Sequence, residues 1–297
     1  MIKNLLSVII PTYNRDAKLL KRSVESVLAQ DYPHIEIFVV DDNADDNSIS
    51  EGIVKYCSLF DNVHYAKQKG NKGACAARNL GIILSNGEYI GFLDDDDTWE
   101  PDKVAKQLRC FINNVGMVFC KGFLVHEIGD MQEKHYYINE KDFKKQIVFN
   151  DLLVKDYIGS TSQAIVHKKC FIKCGGFDEL LLARQDYEMW IRISKYFDII
   201  GVDEFLFTHY IHAGEQISKN SRNSLQGYER VYRLYKQDFR RNKIGRKNII
   251  YSIISAARAS KQYRIAIKYL FNNISVMFPI VYEFAVRKLW KKKPASL

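Results

Sequence analysis

Over residues 1–120, short apolar runs alternate with segments whose apolar positions recur at helical spacing. Leu6–Pro11, with Val8, Ile9 and Ile10, reads as a buried strand. Asp16–Gln30 sets Leu19, Leu20, Val24, Val27 and Leu28 at helical intervals. Ile35–Val40 is a second buried strand, and the capping-rich stretch Asp41–Ser50 leads into a helix through Phe60. Asn62–Ala66 predicts a brief strand, Gly73–Ser85 a helix and Glu88–Leu93 a strand. Pro101 is placed to open the next helix, where a missing N–H is tolerated, and Val115–Cys120 closes the series as a strand. From Lys121 to Phe149 the pattern blurs. Regularity returns with a strand at Ser162–Val166, a helix at Arg184–Tyr196 and a strand at Phe205–Ile211; from Ser221 the chain reads as helical almost to its end.

This alternation predicts an α/β fold with a mostly parallel sheet covered on both faces. Such sheets bind ligands beyond the carboxyl ends of their strands. Pro11–Asn14, Asp41–Asp42 and Asp94–Asp97 all lie at such ends, so they are expected to converge on one site.

Composition bounds the picture without changing it. The chain has 297 residues, 47% hydrophobic and 27% charged, enough for one large α/β domain with an appendage. The apolar run before Pro11 is too short for a signal peptide and lacks a small-residue cleavage pattern. No uncharged apolar stretch approaches the roughly 20 residues a membrane span needs. Six cysteines show neither CxxC pairing nor zinc spacing, so reduced thiols are expected, with the cytoplasm as default compartment. Charge does change the picture. Arg240–Leu297 carries fourteen basic residues against the single acid Glu283, so the net +9 hides a mildly acidic body and a strongly basic tail.

Four aspartates in a row, Asp94–Asp97, repel one another and raise one another's pKa. A solvated loop or a helix cap before Pro101 would accommodate them. So would a divalent cation, Mg²⁺ or Mn²⁺, which takes carboxylate oxygens and bridges to substrate phosphates. Asp41-Asp42 suits a strand-to-helix turn, or a carboxylate that accepts from a base or ribose. Arg78 is either a surface arginine or a nucleotide contact. Gly70 and Gly73 do not form a Walker loop.

Six stretches in order resemble the family 2 glycosyltransferases of GT-A fold. They are Ser7–Arg15, Val39–Asp42, Gly73–Ile82, Gly87–Asp97, Gly175–Glu179 and Gln185–Arg192, within roughly residues 5–220. The resemblance implies a GT-A domain over residues 1–220, with a nucleotide half to about 120 and an acceptor half beyond it, followed by a basic helical extension over 221–297. It implies that Pro11, Thr12 and Tyr13 border the nucleobase, Tyr13 stacking on it, and that Asp42 accepts from a uracil ring. Arg78, Asp94 and Asp95 would hold the nucleotide sugar, Asp96 the metal, and His212 the diphosphate or metal. Asp178 and Glu179 would touch the acceptor. Asp186 matches the general base that a sugar hydroxyl requires, and Gln185 stands where the family usually has Glu. The implied reaction is inverting transfer from a nucleotide-diphosphate sugar, UDP being the expected carrier, to a saccharide hydroxyl.

The interleaved apolar and basic residues of Arg264–Lys293 predict an interfacial helix on an anionic membrane. That fits a peripheral enzyme at the inner face of the cell membrane with a polyprenyl-diphosphate-linked acceptor. No nucleic-acid motif accompanies the basic tail, so no nucleic-acid partner is expected. Two other readings keep part of this picture. A non-catalytic nucleotide-sugar-binding or scaffold protein is suggested only by Gln185. A nucleotidyltransferase would need a glycine-rich, lysine-bearing loop that is missing near the N-terminus.

Overall fold

The computed structural model describes residues 1–15, 17–44, 48–128, 131–137, 140–211 and 220–277. The chain divides into two compact units. One comprises Met1–Leu152, Asp156–Leu180 and Gln185–Gly214; the other comprises Leu153–Lys155, Leu181–Arg184 and Glu215–Leu297.

The first unit begins with β1 (Ile2–Thr12), α1 (Ala17–Leu28), β2 (Ile35–Asp41), α2 (Ser48–Cys57), β3 (Val63–Lys67), α3 (Ala74–Leu84) and β4 (Gly87–Phe92). β1 lies parallel between β2 and β4, and β3 pairs parallel with β2. Every residue of β2 is buried, which requires cover on both faces. Val8 and Ile10 share a cluster with Leu20, Val24 and Val27 of α1 and Ile53 of α2. Ile9 points the other way, against Gly81 of α3, where an added Cβ would stand 2.5 Å from the isoleucine side chain.

The rest of the unit is β5 (Thr98–Trp99), α4 (Lys103–Leu108), β6 (Val115–Ile128), β7 (Met131–Tyr136), β8 (Gln146–Ile147), α5 (Phe149–Val154), β9 (Ile165–His167), α6 (Lys169–Cys174), α7 (Gln185–Ile193) and β10 (Asp198–Ile211). Among the described residues all ten strands join one sheet, in the order β3-β2-β1-β4-β9-β6-β10-β5, with β7 beside β6 and β8 beside β10. The expected succession of parallel strands is interrupted once in its middle. β9 runs antiparallel to both β4 and β6, while β6 and β10 are parallel to each other. A short apolar run such as Ile165-Val166 carries no information about strand direction. The strand expected at Ser162 starts later, because Thr161–Gln163 form a 3₁₀ turn capped by the Ser160 hydroxyl. Pro101 precedes α4 in a turn instead of opening it.

The blurred region has a plain explanation. β6 continues to Ile128 and folds back as β7, with Phe123 opposite Tyr136. Lys134, His135 and Tyr136 are exposed, and Lys134 lies 3.5 Å from the centre of the Phe123 ring. A hairpin with this much solvent contact does not show the unbroken apolar run of a buried strand.

Lys103 is fully buried in this unit. Its ammonium donates to Gln107 Oε1 at 2.5 Å and lies 3.9 Å from the centre of the Trp99 ring. Burial disfavours the charged form and lowers its pKa from 10.5 to about 8. The unfolded chain therefore binds this proton more tightly, and the penalty, on the order of 3 kcal/mol, is present in full below pH 8. It is relieved as pH rises from about 8 to 10.5. Denaturant titrations across this range should show wild type gaining stability relative to Lys103→Met. A pH-independent difference would show that the charge is not strained.

The second unit contains α8 (Ser221–Leu234), α9 (Lys236–Arg241), α10 (Lys243–Ala259) and α11 (Tyr263–Asn272). Asn220 caps α8 and Asn242 caps α10 through side-chain oxygens that accept backbone N–H groups. Leu225, Val231, Phe239, Ile249, Ile250, Ile253 and Ala257 are buried within it. Among the described residues no helix is long and apolar enough to cross a membrane. All six cysteines are free thiols.

Candidate active site

The carboxyl ends of β1, β2 and β4 meet, as the strand order predicts. Thr12 is buried at the end of β1, and its hydroxyl donates to Asp95 Oδ2 at 2.7 Å. The backbone then turns through Asn14 at φ 46°, a left-handed conformation that Asn tolerates. The Asn14 N–H donates to Asn43 Oδ1 at 2.7 Å, tying this turn to the end of β2. Pro11 is partly buried, and Tyr13 stands 54% exposed.

Asp41 and Asp42 divide their duties. Asp41 accepts from the Asn43 backbone and side chain, the Tyr65 hydroxyl and the Lys67 ammonium. Burial pushes its pKa up, but a hydrogen bond from Ser50, together with those from Asn43, Tyr65 and Lys67, outweighs burial and holds it below the usual range. Asp42 accepts from the N–H groups of Lys72 and Gly73, at 2.9 and 2.8 Å, one to each oxygen. Gly73 can turn its N–H there because it adopts φ +87°. Each Asp42 oxygen has capacity for a further donor.

The acidic run forms a turn in which the Asp97 N–H donates to the Asp94 carbonyl, and its four members separate. Asp94 accepts from Arg78 Nη2 at 2.7 Å and from Thr161 Oγ1 at 3.5 Å. Asp95 accepts from Thr12 and from Arg15 Nε at 2.9 Å. Burial still pushes its pKa up to about 7 despite the guanidinium. Asp96, with an 18% exposed side chain, accepts from Arg15 Nη2 at 2.9 Å. Asp97 is fully buried. It accepts from Ser162 Oγ at 2.6 Å and pairs with His209 Nδ1 at 2.7 Å. Burial opposes an imidazolium there, but Asp97 outweighs it and raises the His209 pKa. Asp97 is therefore no simple turn cap, and His209 is no isolated histidine.

Arg78 connects this run to α7. It is buried on α3 and donates to Asp94 and, through Nη1, to Gln185 Oε1 at 3.1 Å. Burial disfavours its charge, and Asp94 more than compensates. Asp186 follows in the first turn of α7, half-buried, where the helix dipole favours a carboxylate. One of its oxygens accepts the Tyr187 N–H at 2.7 Å. The chain enters α7 through Arg184 at φ 64°, a strained conformation for a residue with a Cβ.

The loop holding Asp178 and Glu179 is clamped by Asn79 of α3. The Asn79 carboxamide accepts from the Phe177 N–H and donates to the Phe177 carbonyl and to Glu179 Oε1, all at 2.7–2.9 Å. Gly176 leaves room for this clamp, since an added Cβ would crowd the Asn79 carboxamide and force it to shift. Asp178 accepts from the Leu180 N–H, and Glu179 is exposed. His212 lies outside the described residues.

Among the described residues no three His, Cys, Asp or Glu side chains are gathered into a metal-holding group. The donors fit a cation of another kind, one that takes one or two carboxylates and completes its shell with water and phosphate oxygens. Asp94 and Asp96, with side chains 32% and 18% exposed, are the members of the run open to such a cation, and Asp95 and Asp97 are buried. Residues outside the candidate set complete the site: Arg15, Asn79, Thr161, Ser162 and, as the partner of Asp97, His209. Only Arg15, at the end of the Pro-Thr-Tyr-Asn turn, and Asn79, beside Arg78, carried a signal in the motifs.

Residues 7–174 match the family model described as Glycosyl transferase family 2, which is more than half of the chain. The putative colanic acid biosynthesis glycosyl transferase WcaA of Escherichia coli strain K12 is 29% identical over 91% of this chain and 88% of its own. The putative teichuronic acid biosynthesis glycosyltransferase TuaG of Bacillus subtilis strain 168 is 30% identical over 78% of this chain and 88% of its own. Among solved structures, S. aureus TarS 1–349 in complex with UDP-GlcNAc superimposes with TM-score 0.60 at 20% identity, covering 91% of this chain and 73% of that one. The Pyrobaculum calidifontis mannosyltransferase PcManGT, in complex with GDP-Man and Mn²⁺, does so with TM-score 0.61 at 18% identity, covering 97% and 88%. At these identities the two structures establish a shared fold, the GT-A fold.

Proposed function

The chain belongs to glycosyl transferase family 2, and from that premise we propose that it is an inverting transferase of surface-polysaccharide biosynthesis. The reading assigns it a uridine diphosphate sugar as donor and a saccharide hydroxyl as acceptor, carried on a polyprenyl diphosphate at the inner membrane face. The names of WcaA and TuaG support the polysaccharide assignment, and the UDP-GlcNAc bound to TarS supports the nucleotide. Residues 1–220 would form the catalytic domain and 221–297 a membrane-associating extension.

The observation that carries the reading is the Arg78 bridge. One guanidinium holds Asp94, in the run that faces the donor, and Gln185, beside the candidate base Asp186. In the proposed reaction Tyr13 stacks on the base, Pro11 and Thr12 line its edge, and Asp42 accepts from the uracil. Asp94 and Asp95 orient the sugar and ribose hydroxyls. Asp178 and Glu179 position the acceptor. Asp186 removes the proton of the attacking hydroxyl as its oxygen bonds to the anomeric carbon and the nucleoside diphosphate leaves from the opposite face. A divalent cation, Mg²⁺ or Mn²⁺, held by Asp96 would supply positive charge to the leaving diphosphate. The Mn²⁺ bound with GDP-Man in PcManGT supports that cofactor.

The test is a screen of UDP- and GDP-sugars against saccharide acceptors with Mg²⁺ or Mn²⁺, the product's anomeric configuration being read by NMR. Inverted product that vanishes with a chelator is expected, and Asp96→Asn should require far more metal. Retained configuration, or full activity in chelator, would overturn the respective assignment.

A further inference from the structure

Helix α11 is apolar on two faces, and among the described residues only one of them is buried. Ala266, Tyr269 and Asn273 turn inward, with the Tyr269 ring edge-on to Tyr232 of α8 at 6.1 Å between centroids. On the opposite side Tyr263, Ile267 and Phe271 recur at intervals of four residues, which aligns them in one row. They are 59%, 53% and 66% exposed. A helix packed on one side normally presents polar residues on the other. Here the outer apolar row is flanked by the exposed bases Arg264 and Lys268. At the start of the row an open surface hollow of about 470 Å³ lies between α10 and α11, lined by the exposed Tyr251, Ser255, Arg258 and Tyr263 among others. The sequence has nine basic residues and no carboxylate from Arg240 to Met277.

We propose that this outer face of α11, with the Arg258 hollow beside it, docks on an anionic phospholipid bilayer. The apolar row enters the headgroup boundary, the flanking cations sit among lipid phosphates, and the hollow takes one headgroup phosphate against Arg258. Charge complementarity identifies the occupant. Exposed isoleucine and phenylalanine have nothing to bury against on a nucleic-acid backbone, whereas acyl chains receive them. Ile265 and Leu270, which also interleave with the basic residues, are half-buried and stand apart from this row.

This deepens the reading of a membrane-borne acceptor and rests on it for its purpose, but docking can be measured without any acceptor. Full-length protein is sedimented with vesicles of phosphatidylcholine alone, or of phosphatidylcholine and phosphatidylglycerol in equal parts. Binding to the anionic vesicles, weakened by salt, is expected. Ile267→Glu/Phe271→Glu and, separately, Arg264→Gln/Lys268→Gln should each reduce partitioning at least about tenfold. These positions are exposed, so both variants should keep wild-type thermal melts and turnover on a soluble saccharide. Wild-type partitioning by both variants overturns the proposal. So does equal binding to neutral vesicles, or a face that instead binds duplex DNA or a second copy of the chain. Vesicle binding without transfer to any lipid-linked acceptor would leave the docking face standing and remove the acceptor reading.

Discussion

Replacing Asp186 by Asn is expected to lower turnover by about 10²- to 10⁴-fold, the range of a general base, while donor affinity stays within about a factor of two. The substitution is nearly isosteric, and the Asn carbonyl can still accept the Tyr187 N–H that Asp186 Oδ1 accepts now. Arg78 keeps its closest charge partner, Asp94 at 2.7 Å, so the bridge to α7 survives. What disappears is the ability to take a proton at the first turn of α7. Single-turnover transfer and donor binding, measured on the same preparation, separate the two effects. A loss of less than about threefold in the chemical step would remove Asp186 from the role of base, since such a group contributes far more. If donor binding collapsed as well, Asp186 would be organising the nucleotide site.

Arg78→Met is expected to be the most damaging single change, for stability as well as activity. It deletes the cation that Asp94 faces and the donor that Gln185 accepts from, in a region where Arg78 itself is only 7% exposed. Breaking a buried ion pair by removing one partner costs about 3–5 kcal/mol, because the other charge is left uncompensated. The Asp94 side chain is 32% exposed, so water offsets part of this and the lower end applies. A loss of about 3 kcal/mol is a large fraction of a domain's stability. The origin can be checked with a double-mutant cycle. In an Asp94→Asn background the Arg78→Met penalty should shrink by at least about 1 kcal/mol, and additive effects would show that Arg78 acts through something other than Asp94. Arg78→Lys should fall between, since an ammonium can meet Asp94 but lacks the planar fork that reaches two acceptors at once.

Both predictions concern residues that the motifs contain, yet the bond that joins Arg78 to the start of α7 was not legible there. Arg78 and Gln185 are 107 positions apart, and nothing in either stretch specifies the other. The same holds for Asp97 and His209, 112 apart. Strand β9 illustrates the limit for the fold. Ile165 and Val166 fall within the strand expected at Ser162–Val166, but their antiparallel insertion between β4 and β6 depends on neighbours brought in from elsewhere in the chain.

By itself the sequence determined the alternation of β1 to β4 with their helices, the meeting of three strand ends, the concentration of acid there and of base in the last helices. Each of these follows from local periodicity, or from the fact that parallel strands in one sheet point their ends the same way. Only the tertiary structure decided how the four aspartates divide. Asp94 goes to Arg78, Asp95 to Thr12 and Arg15, Asp96 to Arg15, and Asp97 inward to His209. The physical reason is that consecutive carboxylates are alike in sequence. Their burial and their cations come from segments folded in from a distance, and those set both the pKa and the role of each.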